Sequence, residues 1–462
     1  MPLFLPWRRI DPGALGPAPA LAQGPALDLG HPALRGRQGD LAPWGGSTLA
    51  GTHRPPRPPG PPARHSHPPA PVVSGSRGGS NLFMKIAFLT TDNREQFADY
   101  DNPNPHFGTA PTALLEGFSL LGDQVEIHVV SCSKKKMVSP AKLAPNIWFH
   151  QPIVPQVGWG RTAFVGCGLA VRKLLKAINP DLIHAQGTER DCGVSMMLAP
   201  RLPKLLTIHG HMARIAEITN ARFPSYYWLA TRLEQAAIRR AHGVIALTDY
   251  TRSRIASSAK NTWILPNAVD AEFLKVENRP EPRLALCVAG VHPWKRQVEL
   301  MEALEKVEPA LRPRLVFLGQ ASDSEYGQKF QRLIEANASW CEHHGHIGRV
   351  ELRSWLSKAS SLILPSIEDN CPMVILEAMA AGVPSAAARI GGIPDLIQEG
   401  INGVLFDPRD ADEMAAQIIS LTASQTTRDT HAQRCKPIAL KRFHPKVIAA
   451  AHLEIYREVL GR

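Results

Sequence analysis

From Met84 to the end of the chain, short apolar and β-branched runs alternate with helical stretches, and this alternation limits the fold more than any other feature. Strand, helix and strand in steady succession build stacked βαβ units around a parallel sheet. The first series has runs at Lys85–Leu89, Gln124–Val130, Leu182–Ala185, Lys204–Ile208, Gly243–Leu247 and Trp263–Leu265. After the polar linker Glu277–Pro282 a second series follows at Leu284–Ala289, Arg314–Leu318, Ser361–Leu364, Pro384–Ala387 and Gly403–Phe406. The 462 residues exceed what one core usually holds, roughly 250 to 300. The expectation is an α/β protein with two facing Rossmann-like domains, 84–276 and 283–440, and a ligand cleft at the carboxyl ends of both parallel sheets. A last amphipathic helix, about Pro445–Leu460 within 441–462, carries Val447, Ala451, Leu453, Ile455, Tyr456 and Leu460 largely on one side. It is expected to pack back across the first domain.

Residues 1–83 differ sharply in composition. They hold 17 of the 41 prolines, no Lys, Tyr or Cys, and the run Arg54–Pro62, a composition that cannot form a packed core. Two readings stand: a disordered Pro-rich extension, or a start placed too far upstream, favoured by the strand pattern that begins at once with Met84-Lys-Ile-Ala-Phe-Leu. Arg8 and Arg9 follow the apolar Met1–Trp7 instead of preceding it, so no export signal is expected. The net charge of +11 could point to nucleic acid, but +5 of it lies in residues 1–83. The remainder suits a protein handling phosphorylated ligands, and no nucleic-acid partner is expected. Seven scattered cysteines without a C-x-x-C pair read as a reducing cytosol. No apolar run reaches the roughly 20 residues of a membrane-spanning helix.

The chemistry concentrates in Leu364-Pro-Ser-Ile-Glu-Asp-Asn-Cys-Pro-Met-Val-Ile-Leu-Glu-Ala-Met-Ala-Ala-Gly-Val-Pro384. Strand, polar loop and helix follow in order, and a helix starting near Met373 aims its unpaired N–H groups and positive dipole end at the loop, which suits a diphosphate. Glu377, one turn in, can offer a carboxylate to ribose hydroxyls. The stretch resembles the signature of glycosyltransferase family four (glycosyl transferases group 1), an acidic residue, seven residues, then Glu-Ala-Met-Ala-x-Gly-x-Pro. That resemblance implies the GT-B fold and transfer of sugar from a nucleotide-diphosphate donor with retention at the anomeric carbon. It gives Asp369 the donor sugar, the loop residues Asn370, Cys371, Pro372 and Met373 the sugar and phosphate through their backbone, and Glu377 the ribose. The family usually has Glu where this chain has Asp369; Glu368, one position earlier, has the longer reach but is out of register.

Other segments follow the same pattern. Val288-Ala-Gly-Val-His-Pro-Trp-Lys-Arg296 places Lys295 and Arg296 just before a helix, where cations stabilise a departing diphosphate. The family has Gly-Arg, a spacer, then Lys, so Lys295 matches while Val291 replaces Arg; Arg296 or His292 could substitute. Thr207-Ile-His-Gly210 ends a strand, and the resemblance brings His209 toward the donor across the cleft, with His211 close behind. In the loop His106-Phe-Gly-Thr-Ala110, Gly108 corresponds to a flexible glycine loop near donor and acceptor. Gly345-His346-Ile347 resembles the turn whose backbone meets the nucleobase. Pro266-Asn-Ala-Val-Asp270, Gly391-Gly392 and Gly400–Asp407 also match and are read as structural.

Asp410-Ala-Asp412 imitates a metal-binding Asp-x-Asp, but it directly precedes a helical pattern, so Asp410 reads as an N-cap; no metal and no cofactor beyond the nucleotide-sugar substrate are expected. The basic stretch Arg161–Lys176, with Phe164, Val165, Leu169 and Leu174, either packs on the first sheet or rests on an anionic bilayer. The partners expected are a nucleotide-sugar donor and a sugar or lipid-linked acceptor, in the cytoplasm or at the inner face of the plasma membrane. A sugar-nucleotide 2-epimerase and a non-catalytic nucleotide-sugar-binding homologue are the alternatives. A nicotinamide dehydrogenase is disfavoured, since no G-x-G-x-x-G follows Met84.

Overall fold

The computed structural model describes residues 83–462, so the readings of the preceding segment lie outside the described residues. Eight strands form the first sheet: β1 Met84–Leu89, β2 Val125–Val130, β3 Lys142–Ala144, β4 Ile147–His150, β5 Leu182–Gln186, β6 Lys204–Ile208, β7 Gly243–Ala246 and β8 Thr262–Ile264. Their order is β3-β4-β2-β1-β5-β6-β7-β8, all parallel except the β3–β4 pair at the edge. The second sheet holds β9 Leu284–Val288, β10 Arg314–Leu318, β11 Cys341–His343, β12 Ser361–Leu364, β13 Ser385–Ala388 and β14 Gly403–Phe406, ordered β11-β10-β9-β12-β13-β14 and parallel throughout. The chain is thus an α/β protein of two parallel-sheet domains. Central strands such as β5, β7, β9 and β12 are buried along their whole length, as parallel sheets covered on both faces require.

Each sheet is covered by helices that local sequence starts and stops. Ser225, Thr248, Ser324 and Ser424 cap the helices they precede, each accepting a hydrogen bond from an N–H of the first turn. One face of the first sheet packs on helices Val165–Ile178, Cys192–Leu198 and Tyr226–Arg240 through Cys167, Val171, Met196 and Ala237. The other face packs on helix Thr109–Ser119 and on the final helix Pro445–Leu460, which returns from the end of the chain. Leu453, Ile455 and Tyr456 of that helix are buried as expected, with Ile448, Ala449 and His452 beside them, whereas Val447, expected inside, is exposed. Tyr456 reaches the sheet interior, its hydroxyl 2.7 Å from His184 Nδ1.

Three strands were not anticipated. β3, β4 and β11 are three or four residues long and lie among Pro, Asn and charged residues, too short for a period of two to register. The chain also changes core ahead of its polar linker. Leu265 and Ala268 pack in the first domain, whereas Val269, Phe273 and Val276 belong to the second. Among the described residues no helix is long and apolar enough to cross a membrane.

The return of the last helix depends on one close approach. A Cβ at Gly117 would stand 2.2 Å from Pro445 O and 2.9 Å from Ala449 Cβ, so only glycine lets the two helices meet. Gly117→Ala is therefore expected to lower the melting midpoint by a few degrees, for an overpacking cost of about 1–3 kcal/mol. Gly348→Ala, where an added Cβ meets nothing within 4 Å, is the calorimetric control. Equal midpoints in the two variants would contradict this packing.

Candidate functional site

In the second sheet the strand order reverses at β9 and β12, and the loops leaving their carboxyl ends therefore bound a crevice. These are the loops that carry Lys295 and Asp369. Ile367 N–H donates to Trp294 O at 2.8 Å and ties one loop to the other. At the crevice floor Lys295 Nζ lies 2.6 Å from Asp369 Oδ2, both side chains mostly buried. Gly391, at φ +57°, lets the next turn lie flat against this loop: a Cβ there would stand 2.0 Å from Asp369 O, and Gly392 N–H donates to that same oxygen at 3.0 Å. The two glycines thus act as a backing for the acidic loop.

Helix Met373–Ala380 starts beneath the loop with Pro372 at its N-cap and no side-chain cap, so its first N–H groups point toward the crevice without an intrahelical partner. Glu377 sits one turn in and is only 4% exposed. Burial raises its carboxyl, and Arg349 opposes that rise: Nη1 donates to Glu377 Oε1 at 2.9 Å. The same guanidinium donates from Nη2 to Asp270 Oδ2 at 3.0 Å and stacks over Phe273 at 4.9 Å. Arg349 and Asp270 were not singled out from the sequence as parts of a site. Arg349 comes two residues after the turn Gly345–Ile347, so it links the turn expected at the base to the acid expected at the ribose. In that turn Ile347 places its side chain in the core, which leaves only its backbone for a ligand, and His346 is partly buried.

Lys295 and Arg296 diverge. Arg296, in the left-handed region at φ 54°, sends its guanidinium to Glu299 at 3.6 Å along the following helix, while Lys295 turns to Asp369. Val291 is buried in the core. His292 stacks on Trp294 with ring centres 3.7 Å apart, and burial, aided by Lys295, lowers its pKa. Its ring is therefore neutral near pH 7.

Glu368 and Asn370 do something the sequence did not indicate. Both side chains reach across to the first domain. Glu368 accepts from Arg214 Nε at 3.1 Å and from Tyr250 OH at 2.9 Å, so both of its oxygens are engaged by the first domain. Asn370 Oδ1 accepts from Thr248 and Thr251 hydroxyls, both at 2.6 Å, while its Nδ2 donates to Ile208 O and His209 O at 3.2 and 3.0 Å. Only the backbone of Asn370 is left to serve a ligand. Cys371 is buried and its thiol is pushed up to about 12, so it is not a nucleophile.

From the first domain, the end of β6 brings His209 to the same place. Its Nε2 is 2.9 Å from Gln186 Oε1, and Gln186 Nε2 is 3.0 Å from His184 Nε2, so a buried chain runs from His209 through β5 to Tyr456 on the last helix. Burial pulls His209 down to about 4, leaving a neutral imidazole at pH 7. Two acids missed in the sequence shape its turn: Glu189 accepts from Gly210 N–H at 2.8 Å, and Glu234 from Met212 N–H at 3.2 Å and Thr188 hydroxyl at 2.7 Å. His211 instead caps helix Met212–Ile218. Gly108 is the N-cap of helix Thr109–Ser119, beyond the carboxyl end of β1. Farther back, the connection leading to it is tied down by a buried charge pair. Arg94, fully buried, grips Asp92 with two nitrogens and donates from Nη1 to Asn102 O and Val138 O. Asp410 accepts from the N–H groups of Asp412 and Glu413, capping the helix they begin.

The family model described as Glycosyltransferase Family 4 matches residues 112–273, and that described as Glycosyl transferases group 1 matches residues 282–424. An uncharacterized glycosyltransferase of Methanocaldococcus jannaschii is 24% identical over 292 residues, 62% of this chain and 78% of that one. Sucrose-phosphate synthase of Thermosynechococcus elongatus has the same fold at TM-score 0.67 and 17% identity, over 82% of this chain and 99% of its own. The Anabaena protein HepE, solved in complex with UDP-glucose, matches at TM-score 0.60 and 20% identity, over 81% and 100%. With a family model on each domain and the two-sheet architecture shared with such enzymes, the chain belongs to the group 1, family four glycosyltransferases of the GT-B fold.

Proposed function

We propose that this glycosyltransferase takes a hexose from a nucleotide-diphosphate donor and transfers it, with retention, to a glycan, lipid-linked or small-molecule acceptor in cell-surface polysaccharide or glycoconjugate synthesis. The observation that carries the reading is the Lys295–Asp369 pair at the strand-order reversal, directly before the uncapped helix at Met373. A diphosphate competes for Lys295 and for the helix N–H groups, and a sugar hydroxyl competes for Asp369. HepE, with the same fold, was solved with UDP-glucose, which makes a uridine donor the first to try.

In this reading Glu377 offers Oε2 to the ribose while Arg349 holds Oε1. The arginine matters because a buried carboxyl tends to protonate, and only the carboxylate accepts from both ribose hydroxyls. Of the two candidates for a second cation His292 is neutral, which leaves Arg296, whose guanidinium would have to leave Glu299 to meet the diphosphate. His209, neutral and tied to Gln186, serves as a hydrogen-bonding group for the donor sugar. In this front-face scheme the acceptor hydroxyl attacks from the face that the diphosphate leaves, and a phosphate oxygen takes its proton. No metal is required in this scheme, and turnover is expected to survive a chelator.

Nucleoside-diphosphate release from a panel of nucleotide-hexoses tests this directly. Lys295→Ala and Glu377→Ala are each expected to cut turnover by about 10²-fold or more, and proton NMR of the product should show the donor's anomeric configuration. Near-native rates in both variants would overturn the assignment, and conversion of the donor alone would point to an epimerase. Arg349→Met gives a separate check. Without the guanidinium, burial and Asp270 act on Glu377 unopposed and its pKa rises further, so donor KM should become more strongly pH-dependent than in the wild type and fall as the pH rises. A wild-type KM profile in that variant would show that Arg349 does not control the acid.

A further inference from the structure

Between Glu126 and Asp181 the chain carries eight Lys or Arg and no Asp or Glu. This acid-free stretch includes helix Val165–Ile178, whose Cys167, Gly168, Val171 and Leu175 face the core. The opposite face exposes Val165, Leu169, Arg172, Lys173 and Lys176, which fall on one stripe, apolar at the N-terminal end and cationic toward the C-terminal end. Val165 and Leu169 are 43% and 57% exposed, against the usual preference of such side chains.

The neighbouring turns extend this surface. A Cβ on Gly166 would stand 2.4 Å from Gly158 Cα, so the turn Gln156–Gly158 lies directly on the first turn of the helix and sets Val157, 68% exposed, beside Val165. A bridge pairs the exposed Ile153 with Ser133, and the exposed Lys135 and Lys136 follow Ser133 in the chain, Lys135 with its ammonium over the Tyr100 ring. Isolated exposed aliphatic residues are ordinary. Here they lie in a stretch that contributes cations and no acids, although Glu95 from outside it pairs with Lys134.

We infer that this face of the first domain docks on an anionic lipid bilayer. Aliphatic side chains enter the headgroup boundary while Lys and Arg meet lipid phosphates, the arrangement of an interfacial helix. At 14 residues the helix is too short to span. A single-stranded nucleic acid fits less well, since such sites interleave cations with exposed aromatic rings for stacking, and the exposed apolar groups here are Val, Ile and Leu. The helix begins on the carboxyl side of the first sheet, so its apolar end lies on the cleft side of the domain. A lipid-linked acceptor held at the bilayer would reach the cleft from there, a consequence that rests on the proposed transfer reaction.

Co-sedimentation of the purified chain with vesicles tests the docking without any donor, so its outcome is independent of that reaction. Vesicles of phosphatidylcholine with about 30% phosphatidylglycerol should bind the chain about tenfold more than phosphatidylcholine alone, and about 0.5 M salt should abolish the difference. Arg172→Glu with Lys173→Glu should reduce anionic binding about tenfold. Val165→Ser with Leu169→Ser should weaken it as well, with unchanged melting midpoints because all four residues are exposed. Equal binding to both vesicle types, undiminished binding by the charge-reversed variant, or binding to a single-stranded RNA oligomer in place of vesicles would overturn the inference.

Discussion

The amide of Asn370 sits between the two domains with its oxygen accepting from two hydroxyls and its nitrogen donating to two carbonyls. A primary amide has two donors and two acceptor sites, so this side chain is fully satisfied, and a partly buried amide so satisfied fixes its loop in one geometry. The rest of the crevice depends on that fixation. Asp369 is presented to Lys295, Pro372 leads into the helix, and the turn carrying His209 is pinned through its own carbonyl to the loop it faces. Glu368 reinforces the same crossing by its contacts with Arg214 and Tyr250.

The charges around this frame follow from burial. Glu377 and His209 both lie where desolvation disfavours the ionised form, and they are treated differently. His209 has only neutral partners, Gln186 and beyond it His184, and so remains an uncharged hydrogen-bonding ring. Glu377 has Arg349, which is itself balanced by Asp270 at the crossing between domains. The triad therefore sets one guanidinium between two carboxyl groups at the place proposed for a ribose, while Lys295 and the helix dipole supply positive potential for a diphosphate.

Much of this was legible in the sequence because it depends on local order. Strand, loop and helix around Asp369 and Glu377 follow from periodicity and from the spacing of the two acids, and Lys295 lies at a strand end that any parallel sheet turns toward its crevice. Asp410 was recognisable as a cap from the helix that follows it. What could not be read depends on contacts between distant segments. Nothing near Glu368 reveals that Arg214 and Tyr250 will claim it, and Asn370 looks like a ligand-facing loop residue until Thr248 and Thr251 are beside it. Arg349 carries no motif; its role exists only because the helix it opens brings it onto Glu377. The choice of Ile448 over Val447 as the inward residue at the start of the last helix was ambiguous for a similar reason, since the two are adjacent aliphatic residues.

Every role proposed for these residues requires a nucleotide-diphosphate site in the crevice of the second domain. The most direct measurement is the melting midpoint of the purified chain with nucleoside mono- and diphosphates at matched concentration. At about one hundred times its dissociation constant a ligand stabilises by roughly 2.7 kcal/mol, a shift of several degrees. The account predicts such a shift with a nucleoside diphosphate, a much smaller one with the monophosphate, and loss of the difference in Lys295→Ala. No shift with any nucleotide, or equal shifts with mono- and diphosphate, would contradict it.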